Sequence, residues 1–97
     1  MPSPEDHLRQ AQHNERISLL LEEEAPDWAV TVLFYAALHR VRAYLSPLGH
    51  TEIKSHNQVF QILNDQDSLH STTIGKYRKL YTMSRKARYD CLEVNSW

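Results

Sequence analysis

The residues best suited to chemistry lie in the last third of the chain, where six Lys and Arg residues and no acid fall between Lys76 and Arg88. Residues 71–97 carry a net charge of +4, whereas residues 1–70 carry −5. A one-sided basic surface attracts phosphate, which predicts RNA or another polyanion as a partner. The plainer interpretation is a solvated face that only favours solubility. The predicted RNA-binding residues are Lys76, Arg78, Lys79, Arg85 and Lys86.

Arg88 departs from the pattern of the helix that carries it. At about 100° per residue, its side chain falls within the apolar arc, between Tyr77 and Tyr81, whereas the lysines face the other way. An isolated buried charge costs several kcal/mol, so this guanidinium must be paired, stacked on aromatic rings or open to a cleft. Three interpretations stay open: an ion pair with an acid such as Asp27 or Glu24, a stack on Tyr77 and Tyr81, or a phosphate-binding site.

Proton transfer at such a site would need a histidine or tyrosine beside the arginines. A guanidinium can stabilise a phosphorane while a neighbouring side chain moves protons. A second helix supplies candidates on its polar stripe, which consists of Thr31, Tyr35, His39 and Arg42. The plainer interpretation of His39 is a core histidine bonded to Tyr35 or to a carbonyl. The candidate catalytic residues are Arg85, Arg88, His39 and Tyr35.

No sequence motif indicates a metal or a cofactor. The histidines lack cysteine partners and tight ligand spacing, and there is no Gly-rich phosphate loop and no HExxH pair. We therefore expect neither a metal nor a cofactor.

Four helices are predicted to position these side chains. The first starts after a Ser3 cap, with Pro4 at its first position, and ends at the acids of residues 22–24. The second, residues 26–45, is apolar around nearly its whole circumference, which is typical of a central helix. A third starts from Ser55, in a capping box with Gln58, and a fourth spans about residues 72–92. The predicted fold is all-α, a small four- to five-helix up-and-down bundle.

Length and composition bound the class of protein. A chain of 97 residues predicts one domain, residues 1–97, with a modest core that self-association would help to stabilise. The lone Cys91 cannot form an internal disulfide, and no apolar run approaches the length needed to span a bilayer. The start of the chain is charged, unlike a signal peptide. We expect a cytoplasmic protein without a membrane partner.

Several stretches of this sequence resemble the HEPN superfamily, in particular its small stand-alone bacterial and archaeal members. The resemblance covers the chain from the end of the first helix to Cys91. It is carried by Asp27–His39, Ser55–His56, Tyr77–Tyr81 and Ser84–Tyr89.

The resemblance implies a bundle of four or five helices that commonly dimerises. Many members are metal-independent ribonucleases of toxin–antitoxin, CRISPR-linked or antiphage systems, and others bind RNA or act as scaffolds without catalysis. Active members carry Arg-x4–6-His on the last long helix. Here Asp90 and Cys91 stand at the fifth and sixth positions after Arg85, and no histidine follows His70.

This departure leads us to expect a module that engages RNA or a protein partner, in a defence or toxin–antitoxin setting, without the standard nuclease chemistry. We expect a homodimer or a subunit of a larger complex. One alternative is a metal-independent ribonuclease with a rearranged site, in which His39 faces Arg88. A second alternative is a purely structural subunit of an oligomer.

Overall fold

Four α-helices make up most of the chain that the computed structural model describes, residues 2–66 and 71–89. They are α1 (Pro4–Leu21), α2 (Pro26–Leu45), α3 (His56–Asn64) and α4 (Ser71–Tyr89), with a 3-10 turn at Ser46–Leu48. These ranges contain no strand, so the predicted all-α bundle is confirmed. The predicted end of α4 at Leu92 lies outside the described residues. None of the described helices has both the length and the apolar character to cross a membrane.

Side-chain caps fix the starts of α1 and α3. The predicted Ser3 cap is confirmed: the Asp6 N–H donates to Ser3 Oγ (3.1 Å) and the Ser3 N–H donates to the Asp6 carboxylate (2.9 Å), which forms a capping box. In α3 the Gln58 N–H donates to Ser55 Oγ (3.1 Å). The predicted return bond to Ser55 is wrong, because Gln58 Oε1 accepts from the Lys54 N–H instead (2.9 Å). The cap therefore extends one residue further into the loop.

The central position of α2 is confirmed, because α1 and α4 both pack against it. Small side chains let α1 approach closely: Ala11 and Ala29 are fully buried, and the Ser18 hydroxyl donates to the Ala29 carbonyl (2.8 Å). At the rim of this contact, Arg40 Nη2 lies 2.6 Å from Glu15 Oε1. An exposed pair of this kind contributes little, so packing and the buried hydroxyl hold α1 in place.

The apolar core lies where α2, α3 and α4 meet, around the ring of Phe34. This ring is fully buried, and its centroid lies 5.5–5.6 Å from those of His56, Tyr77 and Tyr81. Offset and tilted ring contacts of this kind stabilise a core beyond the area that they bury. The buried residues of this cluster are Phe34, Leu45, Val59, Phe60, Leu63 and Tyr77.

The chain reverses direction between α2 and α3 at Gly49. Its φ of +99° lies in the left-handed region, which a side chain at Cβ disfavours. The His50 N–H donates to the Leu45 carbonyl (3.2 Å) and closes the end of α2. The returning loop then brings His56, the first residue of α3, against the aromatic core.

Candidate functional site

Arg88 is held where α4 meets α2. Its Nε donates to the Ser84 carbonyl (3.1 Å), its Nη2 to Ser84 Oγ (3.1 Å) and its Nη1 to the Tyr35 hydroxyl (3.0 Å). The guanidinium carbon lies 5.6 Å from the centroid of the Tyr35 ring and 5.0 Å from that of Tyr89. Neutral groups and aromatic faces therefore fix the orientation of this cation, and none of the carboxylates in residues 2–66 and 71–89 pairs with it.

Arg88 does not have the structural partners named for it from the sequence. Within residues 2–66 and 71–89 no carboxylate lies within ion-pair distance of its guanidinium, so neither Asp27 nor Glu24 pairs with it. The rings under its guanidinium are also not those of Tyr77 and Tyr81. Tyr77 lies deeper, against Phe34 and Phe60, because α4 turns that side chain into the core.

Ser84 makes room for this arrangement, and its role was missed from the sequence. Its side chain is fully buried, and its hydroxyl donates to the Tyr81 carbonyl (2.8 Å) while it accepts from Arg88. A larger side chain here would occupy the space that the guanidinium takes when it folds back along α4. The available signal was a serine on the apolar arc, one helical turn before an arginine on the same arc.

Arg85 stands beside Arg88 on the exposed side of α4. Its guanidinium carbon lies 5.2 Å from the centroid of the Tyr89 ring and 5.8 Å from that of Tyr81. Its Nη1 lies 3.5 Å from the Tyr81 hydroxyl, at the outer limit of a hydrogen bond. Two guanidinium groups thus approach the single ring of Tyr89, which concentrates positive charge at the C-terminal end of the described helix.

His56 is the histidine whose pKa is affected by the charges of Arg88 and Arg85. Its ring centroid lies 5.0 Å from that of Tyr81, and burial, followed by the charges of Arg88 and Arg85, lowers its pKa. The imidazole is therefore neutral at pH 7. Its predicted position in the first turn of α3 is confirmed, but its approach to the arginines was missed, because it depends on how α3 docks on α2.

His39 lies against α1. Its Nδ1 is 3.0 Å from Nδ1 of His7, which is buried, and the two ring centroids are 5.2 Å apart. Burial, then His7 and Arg42, lower the pKa of His39. The predicted bond from His39 to Tyr35 or a carbonyl is wrong, because its partner is His7. His7 itself was missed from the sequence.

Two cavities adjoin the bond between Tyr35 and Arg88. One, of about 290 Å³, is lined by Tyr35 and His56 together with the cations Arg42 and Lys54. The other, of about 310 Å³, has Arg88 in its wall. Its full lining is Asp27, Trp28, Thr31, Ala87, Arg88 and Tyr89. Residues of α2's polar stripe line both cavities, Tyr35 and Arg42 in the first and Thr31 in the second, and a ligand anchored on Arg88 would have space in the second.

The remaining residues predicted to bind RNA are spread along α4. Lys76, Lys79 and Lys86 are exposed and line neither of these cavities. The guanidinium of Arg78 lies 4.4 Å from the centroid of the Phe60 ring, so it covers the core as well as facing water. Of the predicted basic residues, Arg85 is the one that the structure brings beside Arg88.

Comparison with known proteins adds no relative, because no protein-family model, curated protein or solved structure matches this chain. Among the described residues, no group of three or more His, Cys, Asp or Glu side chains is arranged to hold a metal ion. Function is therefore inferred from the geometry of the arginines and of the cavities beside them.

Proposed function

We propose that this chain binds RNA through its phosphates at Arg85 and Arg88, with Tyr35 and His56 framing the site. The observation that carries the proposal is the state of Arg88: a half-buried guanidinium, oriented by three hydrogen bonds, without a carboxylate partner in the described part of the chain. Such a cation is stabilised by an anionic ligand, and phosphate matches its planar fork.

The hydrogen bonds of Arg88 leave it able to bind. A guanidinium has five N–H donors, of which Nε, one on Nη1 and one on Nη2 are used by Ser84 and Tyr35. No acceptor in the described part of the chain bonds to the other two N–H groups, one on each terminal nitrogen, so a ligand can use them. Arg85 adds a second cation within reach of the same ring, Tyr89. Two oriented guanidinium groups attract a phosphodiester, because a tightly held anion relieves the charge repulsion between them.

The wider setting follows from the resemblance to HEPN proteins and is part of the proposal. We infer a single-domain binding module of a defence or toxin–antitoxin system, acting as a homodimer or as a subunit of a complex in the cytoplasm. The absence of the Arg-x4–6-His pattern from the fourth helix supports binding over the standard chemistry. The basic side chains of α4 extend the surface on which an RNA strand would lie.

Fluorescence anisotropy with a labelled single-stranded 20-mer RNA in EDTA tests this proposal. We expect Arg88→Ala to weaken binding several-fold and to reduce the slope of log affinity against log salt by about 0.7 for each phosphate that the protein no longer neutralises. Arg16→Ala removes an exposed arginine of α1 and serves as the matched control, with affinity unchanged. Equal affinities for the Arg88 and Arg16 variants at every salt concentration would refute the proposal.

A second function, metal-independent RNA cleavage, is favoured by one observation: His56 lines the same cavity as Tyr35, whose hydroxyl accepts from Arg88. In such a reaction His56 would take the proton of the 2′-hydroxyl as its oxygen bonds to phosphorus. The P–O5′ bond would break, and Tyr35, whose oxygen accepts from Arg88, would supply a proton to the leaving O5′. The products would be a 2′,3′-cyclic phosphate and a 5′-hydroxyl.

Electrophoresis of the same RNA after incubation in EDTA distinguishes cleavage from binding. Under this second function, His56→Ala abolishes the cyclic-phosphate product, and His39→Ala, at the contact with α1, leaves it intact. Loss of cleavage with His39→Ala alone would favour the rearranged site predicted from the sequence. Intact RNA in every lane, with anisotropy still reporting binding, would leave the binding function and exclude catalysis by the chain alone.

A further inference from the structure

From the cavity between α2 and α4, we infer a nucleobase site that prefers guanine. This inference rests on the proposed binding of RNA phosphates by Arg88, which forms part of the wall of the same cavity. The volume, about 310 Å³, is at the lower end of the range for ligand pockets and suits a group the size of one nucleotide.

Two exposed aromatic side chains line this cavity. Trp28, in the first turn of α2, is 58% exposed, and Tyr89 is 61% exposed. Apolar rings of this size usually bury most of their area, so exposure of both at one cavity indicates a surface for a flat ligand. Base stacking on such rings changes affinity by about tenfold per base, and it needs no particular base identity. The rings therefore account for the binding of a nucleobase but not for a preference for one base over another.

Preference comes from Asp27, the acidic residue of the lining. Its carboxylate makes no hydrogen bond or ion pair with the described part of the chain, whereas its backbone carbonyl accepts from the Thr31 hydroxyl (2.9 Å). An ionised carboxylate only accepts, so its ligand must present N–H donors. The negative charge of Asp27 repels phosphate, whereas the positive charge of Arg88 attracts it. A cavity lined by both residues therefore favours a ligand that carries an anionic group at one end and N–H donors at the other.

Guanine is the base that meets these conditions. Its Watson–Crick edge carries two adjacent donors, N1–H and the N2 amino group, which match the two oxygens of a carboxylate. Uracil offers one N–H between two carbonyl oxygens, which a carboxylate repels, and adenine and cytosine offer a single amino group. The site would thus bind a guanine ring against Trp28 and Tyr89, its edge on Asp27, with an adjoining phosphate on Arg88.

Anisotropy with two labelled oligonucleotides, U12 and U12 carrying one central G, tests the inference at a single salt concentration. We expect the wild-type chain to bind the G-containing strand about tenfold more tightly. Asp27→Asn should remove this difference and retain the affinity for U12, whereas Trp28→Leu should weaken the binding of both strands, because stacking does not depend on the base. Glu24→Gln, an exposed acid outside the cavity, should retain both. Circular dichroism confirms that each variant folds.

The outcomes separate this inference from the proposed function. Binding of both strands with equal affinity by the wild type would overturn the guanine site and leave phosphate binding in place. Persistence of the preference in Asp27→Asn would overturn the role of the carboxylate and with it the inference. Failure of both strands to bind, with the wild type folded, would overturn the proposed function and the guanine site together.

Discussion

Acidification should destabilise this protein through the pair formed by His7 and His39. Their Nδ1 atoms lie 3.0 Å apart, which requires one of them to donate a proton and the other to present a lone pair. Burial lowers the pKa of both rings, and the charge of Arg42 lowers both pKa values further. At His7 the charge of Asp6 acts in the opposite direction and raises the pKa. The unfolded chain therefore binds more protons than the native state below about pH 6.5. Stability is present above that pH and is lost as pH falls.

The magnitude follows from linkage. In the limit of a histidine that titrates near 6.5 when unfolded and never protonates when native, the free energy of unfolding falls by at most about 1.3 kcal/mol between pH 7.0 and 5.5. If neither His7 nor His39 accepts a proton in the native state, the free energy of unfolding falls by at most about 2.5 kcal/mol over the same pH range. If the donor ring accepts a proton at its Nε2, the Nδ1–H bond survives, and the loss is about 1.3 kcal/mol. Either value is a large part of the stability of a small domain.

Urea denaturation followed by circular dichroism at pH 7.0 and 5.5 measures this loss. His39→Asn keeps a side-chain amide that can bond to His7 Nδ1 but cannot titrate, and we expect it to lose less stability on acidification. The double variant His7→Asn, His39→Asn should lose least. His13→Asn, at an exposed position of α1, is the control and should match the wild type. His56 contributes equally to every variant. A double variant with the pH dependence of the wild type would refute the reasoning.

Two further predictions concern the core and the support of the site. Phe34→Ala removes the fully buried ring at the centre of the aromatic cluster and should lower the free energy of unfolding by about 3–5 kcal/mol, measured by urea denaturation; a loss below about 1 kcal/mol would contradict the packing. Ser84→Ala removes the hydroxyl that accepts from Arg88 and should destabilise by about 1 kcal/mol. It should also weaken RNA binding several-fold in anisotropy, whereas the exposed Thr82→Ala should not.

The helices could be predicted from the sequence because their ends are set locally. Ser3 and Ser55 cap the helices that follow them, and Pro26 occupies the first position of α2. Each of these signals acts within a few residues of the chain, so neither tertiary packing nor a partner is needed to read it. The apolar circumference of α2 likewise predicted its central place, because such a helix must pack on more than one side.

The site was predicted only in part, because its contacts join residues far apart in the chain. The periodicity of α4 placed Arg88 on the inner arc, but it carried no information about the rotation of α2, which decides that Tyr35 is the partner. The same limit explains His56 and His7, whose positions depend on the loops that precede α3 and α2. The sequence of one helix shows which residues share a face of that helix. How two helices are rotated relative to each other is set by the packing of their side chains, which the sequence pattern does not show.

The clustering of basic residues on α4 affects how fast the chain associates with a polyanion. This helix carries six basic residues and no acid along about 28 Å, yet the whole chain has a net charge of −1. At distances beyond the Debye length, about 8 Å at physiological salt, the electrostatic attraction between an approaching RNA and the chain would be small, because the net charge of the chain is close to zero. Collisions would be accelerated little by long-range attraction, and most orientations would be unproductive. Differences in affinity among ligands would then arise from how slowly each complex dissociates.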